Sequence, residues 1–462
     1  MIQKLFLAKT NYSWTIIHVL LGILCTFNQW FLIGWFYFII FSSFNLILSN
    51  LLIHKTSKNF IPFIIYLSSF EVFGRMLNSS PYIPWELSKY LIITCSAFIL
   101  LTDRLAKPYG RGVIILILLI PGCLIDESNK VNIGGVISNL LGPVSLSLLI
   151  IVLGKYKIKY DEFDSILRLI WYPAISMLLY LMINTPNYSE IDFALKANFL
   201  TSGGFGPNQV ATILGLGMFL SFYAWMNKLL FSGNHSLDGI FIGLFAYQGF
   251  LSFSRGGMFI AFLSIPLYYL VFRSSIKFKD IVKVRRLRPL LFFTFAIIIL
   301  FSSYSIIQSI TEGNLGLRYS GETRSTLSGA RAKTINTITT GRFDIFIADL
   351  ALWDEYLIFG TGAGASRYLR GNNLNGISPH TEFTRLLAEH GLFGFFILVT
   401  ILSCYFSKKT SNKNNIYRAI QIVLFIFGMG TTLHSAMRTF VTPVLVGLSM
   451  TYITNRDERK VN

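Results

Sequence analysis

Long apolar runs separated by short polar connections fill almost the whole chain, and one polar stretch of roughly fifty residues breaks that pattern near its C-terminal third. The apolar runs are long enough to cross a bilayer. They lack the alternation of barrel strands, so they predict helices, which satisfy their own backbone hydrogen bonds in lipid. Fourteen candidate helices follow: residues 14–26, 30–53, 60–77, 84–101, 112–125, 133–153, 166–183, 208–226, 237–253, 257–272, 289–307, 391–406, 417–433 and 437–453. The first and fifth are short for a full crossing and are read as tilted or re-entrant. No repeat of fixed period is visible. The expected fold class is an all-α polytopic membrane protein with about 12–14 transmembrane helices. The chain then divides into a first helical block (residues 1–307), a long, partly helical polar loop (308–390), and C-terminal helices with a tail (391–462).

Composition sharpens this reading. The 462 residues are 53% hydrophobic and only 13% charged, where a soluble chain carries about 25% charged residues. The net charge of +18 raises nucleic acid as a partner. In a membrane protein, however, positive charge gathers in cytoplasmic loops, so the bilayer is the expected partner and nucleic acid is not. Cys25, Cys95, Cys123 and Cys404 lie in apolar runs without metal or redox spacing. Lys4 and Lys9 precede an apolar run as in a signal peptide, but no small-residue cleavage site follows, so the run is read as an uncleaved first helix.

Lysine and arginine placement orients the spans. Residues 273–288 carry seven basic residues against Asp280 alone, which predicts a cytoplasmic loop. Lys408, Lys409, Lys413 and Arg418 mark a second, Lys55 and Lys58 a third, and Arg104, Lys107 and Arg111 a fourth. Counting between them places both termini inside and the 308–390 loop outside, at the external face of a plasma membrane. That loop carries eight basic and eight acidic residues. The same count brings Arg75, the 201–208 turn, Arg255 and the 434–438 turn to the side of the loop.

These positions are the candidates for chemistry. Arg255 stands against the positive-inside bias and is followed by Gly256 and Gly257, which let a ligand or a backbone approach closely. A guanidinium at headgroup depth suits phosphate oxygens, although an arginine at a helix end also snorkels. Ser378 and Pro379 are expected to open a helix with His380 in its first turn, where the helix N-terminus favours a neutral, proton-accepting imidazole. His390 reads as a helix end. The run Gly360-Thr361-Gly362-Ala363-Gly364 lacks the lysine of a phosphate loop and reads as a tight turn. Arg342 is either a second phosphate ligand or a loop salt bridge. No histidine pair has metal-ligand spacing with a carboxylate, and neither a metal nor a cofactor is expected.

Several of these motifs together resemble the O-antigen ligase and O-antigen polymerase superfamily of bacterial envelope enzymes. They are Ser254-Arg255-Gly256-Gly257 between two helices, Gly206-Pro207-Asn208-Gln209 opening a helix, and a series within one long loop. The series runs Gly341-Arg342, Phe359 to Gly364, His380-Thr381-Glu382-Phe383 and Glu389 to Gly394. The resemblance covers roughly residues 200–440. It implies a GT-C-like helical fold and metal-independent, inverting transfer of a glycan from undecaprenyl pyrophosphate to an acceptor hydroxyl. The acceptor would be another lipid-linked glycan in a polymerase, or a lipid A-core-type glycan in a ligase. Mapped onto this chain, His380 would be the general base, and Arg255 and Arg342 would hold the pyrophosphate. Ser254 and Asn208, in the two helix-end motifs, complete the binding set. The alternative is a transporter or flippase of lipid-linked glycans, which predicts repeated halves and charges near the midplane.

Overall fold

The computed structural model describes residues 12–54, 60–102, 109–274, 287–371, 373–408 and 414–454. These are mostly helical. The strands among them are β1 (Lys157–Lys159) and β2 (Tyr452–Thr454), which pair in parallel with Ile158 opposite Ile453. The basic loop around 275–286 lies outside the described residues, as do Lys55, Lys58, Arg104, Lys107, Lys409 and Lys413, so most of the charges used for orientation have no structural counterpart here.

The N-terminal helices are α1 (Tyr12–Phe27), α2 (Trp30–His54), α3 (Phe60–Ser68), α4 (Glu71–Met76), α5 (Leu87–Thr102), α6 (Gly110–Cys123), α7 (Ile133–Leu153) and α8 (Tyr160–Asn184). The central ones are α9 (Pro207–Asn227), α10 (His235–Leu251), α11 (Arg255–Ser274) and α12 (Leu287–Ile310). Each of the fourteen apolar stretches contains helix, but the lengths differ from expectation. Among the described residues, seven helices are long and apolar enough to cross a membrane: those over 133–153, 160–184, 207–227, 255–273, 289–310, 382–406 and 415–435. The stretch 60–77 breaks at Ser69 and Phe70 into α3 and α4. The final stretch, 437–453, holds only a nine-residue helix, Val441–Ser449.

Burial separates core from periphery. The spanning window of α9 is 89% buried and that of α12 only 22%, so α9 is the axis of the bundle and α12 presents its apolar surface outward. Small residues let α9 approach its neighbours. A Cβ on Gly257 of α11 would stand 2.5 Å from the Thr212 nitrogen, and one on Gly217 would stand 2.5 Å from the Phe245 ring. Backbones this close are typical of small-residue contacts between membrane helices. Gly256 is closed by the His434 ring at 2.6 Å. The two glycines after Arg255 therefore serve helix packing.

Residues 308–390 fold over one end of this bundle as short helices: α13 (Asn314–Tyr319), α14 (Arg324–Leu327), α15 (Ile335–Ile338), α16 (Arg342–Glu355) and α17 (Ser366–Leu369). Then come α18 (Glu382–Lys408), α19 (Asn415–Ser435) and α20 (Val441–Ser449). Helix α18 is two helices joined at Gly391, whose φ of 58° and ψ of −133° are non-helical. The glycine-rich run is a backbone latch onto its first half. Thr361 N–H donates to Ala388 O at 2.8 Å, Gly362 N–H to Glu389 O at 3.1 Å and Ala363 N–H to Gly122 O at 2.8 Å. This is the tight turn expected from the sequence. Its amides are used by protein carbonyls, so they are not free for phosphate.

Candidate active site at the end of the bundle

Helix α11 begins at Arg255, and its start is tied to the start of α9. The buried Ser254 hydroxyl donates to Asn208 Oδ1 at 2.8 Å. Thr212 donates to the Asn208 carbonyl at 2.7 Å and lies 3.0 Å from His434 Nε2. Ser254 and Asn208 thus position the two helix ends. The Arg255 side chain reaches into the 308–390 segment, where it donates to Arg318 O at 3.2 Å and to Ile338 O. Both partners are neutral carbonyls, so its charge is uncompensated.

Two further guanidiniums share that environment. Arg318, in the last turn of α13, is buried and donates to Leu195 O at 3.1 Å and Phe253 O at 3.4 Å. Burial, then Arg255 and Arg342, push its pKa down to about 10. Arg342 opens α16 behind Gly341, whose φ of 81° is left-handed and suits glycine. Arg342 is half-buried, and its side chain has no hydrogen-bond or ion-pair partner among the described residues, so the loop salt bridge considered above is not formed there. Its pKa is lowered by burial and then by Arg255 and Arg438. Three guanidiniums repel one another here without a carboxylate partner among the described residues, an arrangement that a bound anion would relieve.

His380 lies beside this cluster. The expected helix does not open at Ser378. It opens at Glu382, where the Thr381 carbonyl accepts from Arg385 N–H at 3.3 Å. His380 therefore precedes the helix instead of occupying its first turn. It is half-buried, and its Nδ1 is buried without a partner among the described residues. Its pKa falls to about 4, through burial first and then Arg438, Arg342 and Arg370. The imidazole is neutral at pH 7, as expected, but desolvation and arginines are the cause.

A turn from α19 to α20 holds His380 in place. Ala436 N–H donates to His380 O at 3.1 Å, Arg438 Nη2 to Pro379 O at 3.1 Å, and Met437 N–H to Glu382 Oε2 at 3.3 Å. Ala436 adopts φ 49° and ψ −153°, a region disfavoured for residues with a Cβ, and strain of this kind gathers at functional sites. Beneath the turn, the Arg438 carbonyl accepts from Arg75 at 3.0 Å and Lys89 at 3.2 Å. Arg75 is itself buried and bound to Glu71 at 2.5 Å, Glu86 at 3.1 Å and Gln209 at 3.1 Å. It is a packing hub. Arg370 and Asp349, a fully buried pair at 2.6 Å, fix the approach to His380, with Arg370 also donating to Ile377 O at 2.7 Å.

A cavity of about 380 Å³ opens against His380 and Arg438 and is bounded by α5, α7, α17 and the first half of α18. Arg255, Arg318 and Arg342 do not line it. His390, by contrast, is buried against α6, where a Cβ on Gly122 would run into its ring, which fits the structural role expected of it. Among the described residues no three His, Cys, Asp or Glu side chains gather as a metal-ligand set.

Of the sequence candidates, the structure brings Arg255, Arg342 and His380 into one electrostatic neighbourhood and uses Ser254 and Asn208 to position it. Arg318 and Arg438 also belong to it and carried no local motif. Comparison with protein-family models, with curated proteins and with solved structures finds no match to this chain.

Proposed function

We propose that the chain is a membrane glycosyltransferase of the O-antigen ligase or polymerase kind, moving a glycan from undecaprenyl pyrophosphate to an acceptor hydroxyl at the external leaflet. One observation carries this reading: the neutral imidazole of His380 stands beside guanidiniums that have no acidic partner among the described residues. The acceptor hydroxyl gives its proton to an imidazole nitrogen while its oxygen attacks the anomeric carbon. The bond from that carbon to the pyrophosphate oxygen breaks, and its electron pair leaves with the pyrophosphate. Arg255, Arg318 and Arg342 take the growing negative charge. Attack opposite the leaving group inverts the anomeric centre. Base catalysis of this type contributes about 10²–10⁴-fold, and a charge-stabilising donor about 10²–10³-fold.

The test uses purified protein, an undecaprenyl pyrophosphate-linked glycan, an acceptor and EDTA. Product is expected from the wild type in EDTA, because arginines neutralise the leaving group. His380→Ala is expected to lose transfer while keeping donor binding, and Arg255→Lys to lose much of it through the missing fork of donors. An active His380→Ala enzyme, or transfer abolished by EDTA, would sink the proposal.

A further inference from the structure

The cavity behind His380 has a charge balance that the transfer step does not use. Four cations line it, Lys89, Arg367, Arg385 and Arg438, against three carboxylates, Glu86, Glu382 and Glu389. Every carboxylate is already engaged. Glu86 is bound by Lys89 and by Arg75, the latter at 3.1 Å. Glu382 is bound by Arg385. Glu389 accepts from Ser366 at 2.9 Å and meets Arg385 at 3.5 Å. Lys89 and Arg385 are used up in those pairs.

Arg367 and Arg438 are left over. The Arg438 guanidinium makes one hydrogen bond, to the Pro379 carbonyl, and no ion pair among the described residues. Arg367 lies over the Tyr368 ring at 4.6 Å, and its Nε is buried with no hydrogen-bond partner. An unmatched buried donor of this kind is costly unless a ligand completes it. The N-terminal part of α7, at Gly135, Ser138 and Asn139, adds the positive end of a helix dipole to the same wall. Among the described lining residues there is no Phe, Tyr or Trp, and the one aromatic ring is the His380 imidazole, so the wall favours charge over sugar stacking.

Its position also matters. The leaving-group arginines do not line the cavity, whereas His380 does. A general base must touch the acceptor hydroxyl, and in an inverting transfer the leaving oxygen departs from the opposite side of the anomeric carbon. A cavity that holds the base without the leaving-group arginines is therefore assigned to the acceptor. We propose that this cavity is the acceptor subsite, and that it recognises a glycan bearing an anionic substituent, a carboxylate or a phosphate, through Arg367 and Arg438. This rests on the glycosyl-transfer reading for the name of the occupant, while the anion preference stands on the cavity itself.

The experiment is isothermal titration of the full chain in detergent, without donor, using four probes. A trigalacturonic acid and its methyl ester report the carboxylate. A phosphorylated and an unphosphorylated hexose trisaccharide report the phosphate. One anionic probe is expected to bind at least about tenfold more tightly than its neutral counterpart, as a charged hydrogen bond implies. Which of the two does so names the substituent. Arg367→Gln is expected to erase that difference, and Arg324→Gln, at an exposed pair with Asp192 outside the cavity, to preserve it. Equal affinity for charged and neutral probes, no saturable binding by either anion, or an unchanged preference in Arg367→Gln would overturn the proposal. The two readings fail separately. No transfer by the wild type, or transfer retained by His380→Ala, removes the activity or the base assigned to His380 but leaves the anion preference, whereas His380-dependent transfer with no preference removes the subsite alone.

Discussion

At the scale of single residues, the site is built from cations that differ in what else they do. Arg318 serves the fold as well as the charge, because its guanidinium satisfies the carbonyls of Leu195 and Phe253. Arg342 serves the charge alone, with no partner of its own among the described residues. Arg342→Gln is expected to reduce transfer by about 10²–10³-fold while leaving the thermal midpoint unchanged or higher, since it relieves repulsion among the arginines. Arg318→Gln is expected to lower stability by about 1–3 kcal/mol, seen as an earlier unfolding transition in detergent. A second expectation concerns pH. The free His380 titrates near 4 because burial and Arg438, Arg342 and Arg370 oppose its protonation. A bound pyrophosphate neutralises those arginines, so protonation becomes easier and the pKa rises. The acid limb of kcat is therefore expected at higher pH than that of kcat/KM, since the first reports the complex and the second the free enzyme. Coincident limbs would contradict the coupling. His380, Arg255 and Arg342 were legible in the sequence, because each stands in a short motif or against a charge bias. Arg318 was not, and Arg438 was reached only as the end of the 434–438 turn, because their roles come from where distant segments meet.

At the scale of elements, apolar periodicity located the helices, and glycine chemistry located their breaks only in part. The stretch 391–406 reads as a span, and it is the second half of α18. The sequence also places a separate helix before this span, opened at Ser378 and Pro379 and ending at His390; the structure starts it later, at Glu382. The joint is Gly391. A Cβ there would stand 2.6 Å from the carbonyl oxygens of Leu357 and Ile358, at a φ of +58°. Gly391→Ala is expected to destabilise by about 1–3 kcal/mol and to reduce activity, because it disturbs the latch that sets the polar half. Gly371 is the control: a Cβ there would meet nothing within 4 Å, and its φ is not positive. Gly371→Ala should unfold at the wild-type temperature. Equal stability of both variants would remove the latch from the account. The run Gly360 to Gly364 shows why glycine patterns alone mislead: phosphate loops and backbone latches both need glycine, and only the partners of the amides separate them.

At the scale of the whole molecule, a mostly helical body with seven helices long and apolar enough to span a membrane is in place. The sidedness of the site is a prediction from charge. A reporter fused after Lys283 is expected to be cytoplasmic, and one inserted in 372–376 external. Reporters on the same side would remove the lipid-pyrophosphate donor. The N-terminal third gave no motif because most of its contribution is packing, and the residues it lends to the cavity wall, such as Lys89 and Asn139, stand in no local pattern. His18 shares a hydrogen bond with the Tyr66 hydroxyl at 2.9 Å inside a cluster of Trp14, Trp35 and Tyr172, a core with no local signature beyond its apolarity.

The turn at Ala436 to Arg438 carries one more consequence, in the order of synthesis. His380 is gripped by residues that leave the ribosome more than fifty positions after it. Until they arrive, the spans and the arginines of the earlier segments are present, yet the base has no fixed address. Under the proposed function, a nascent chain would be inert toward carrier-bound sugars, and competence would begin only when its closing helices dock.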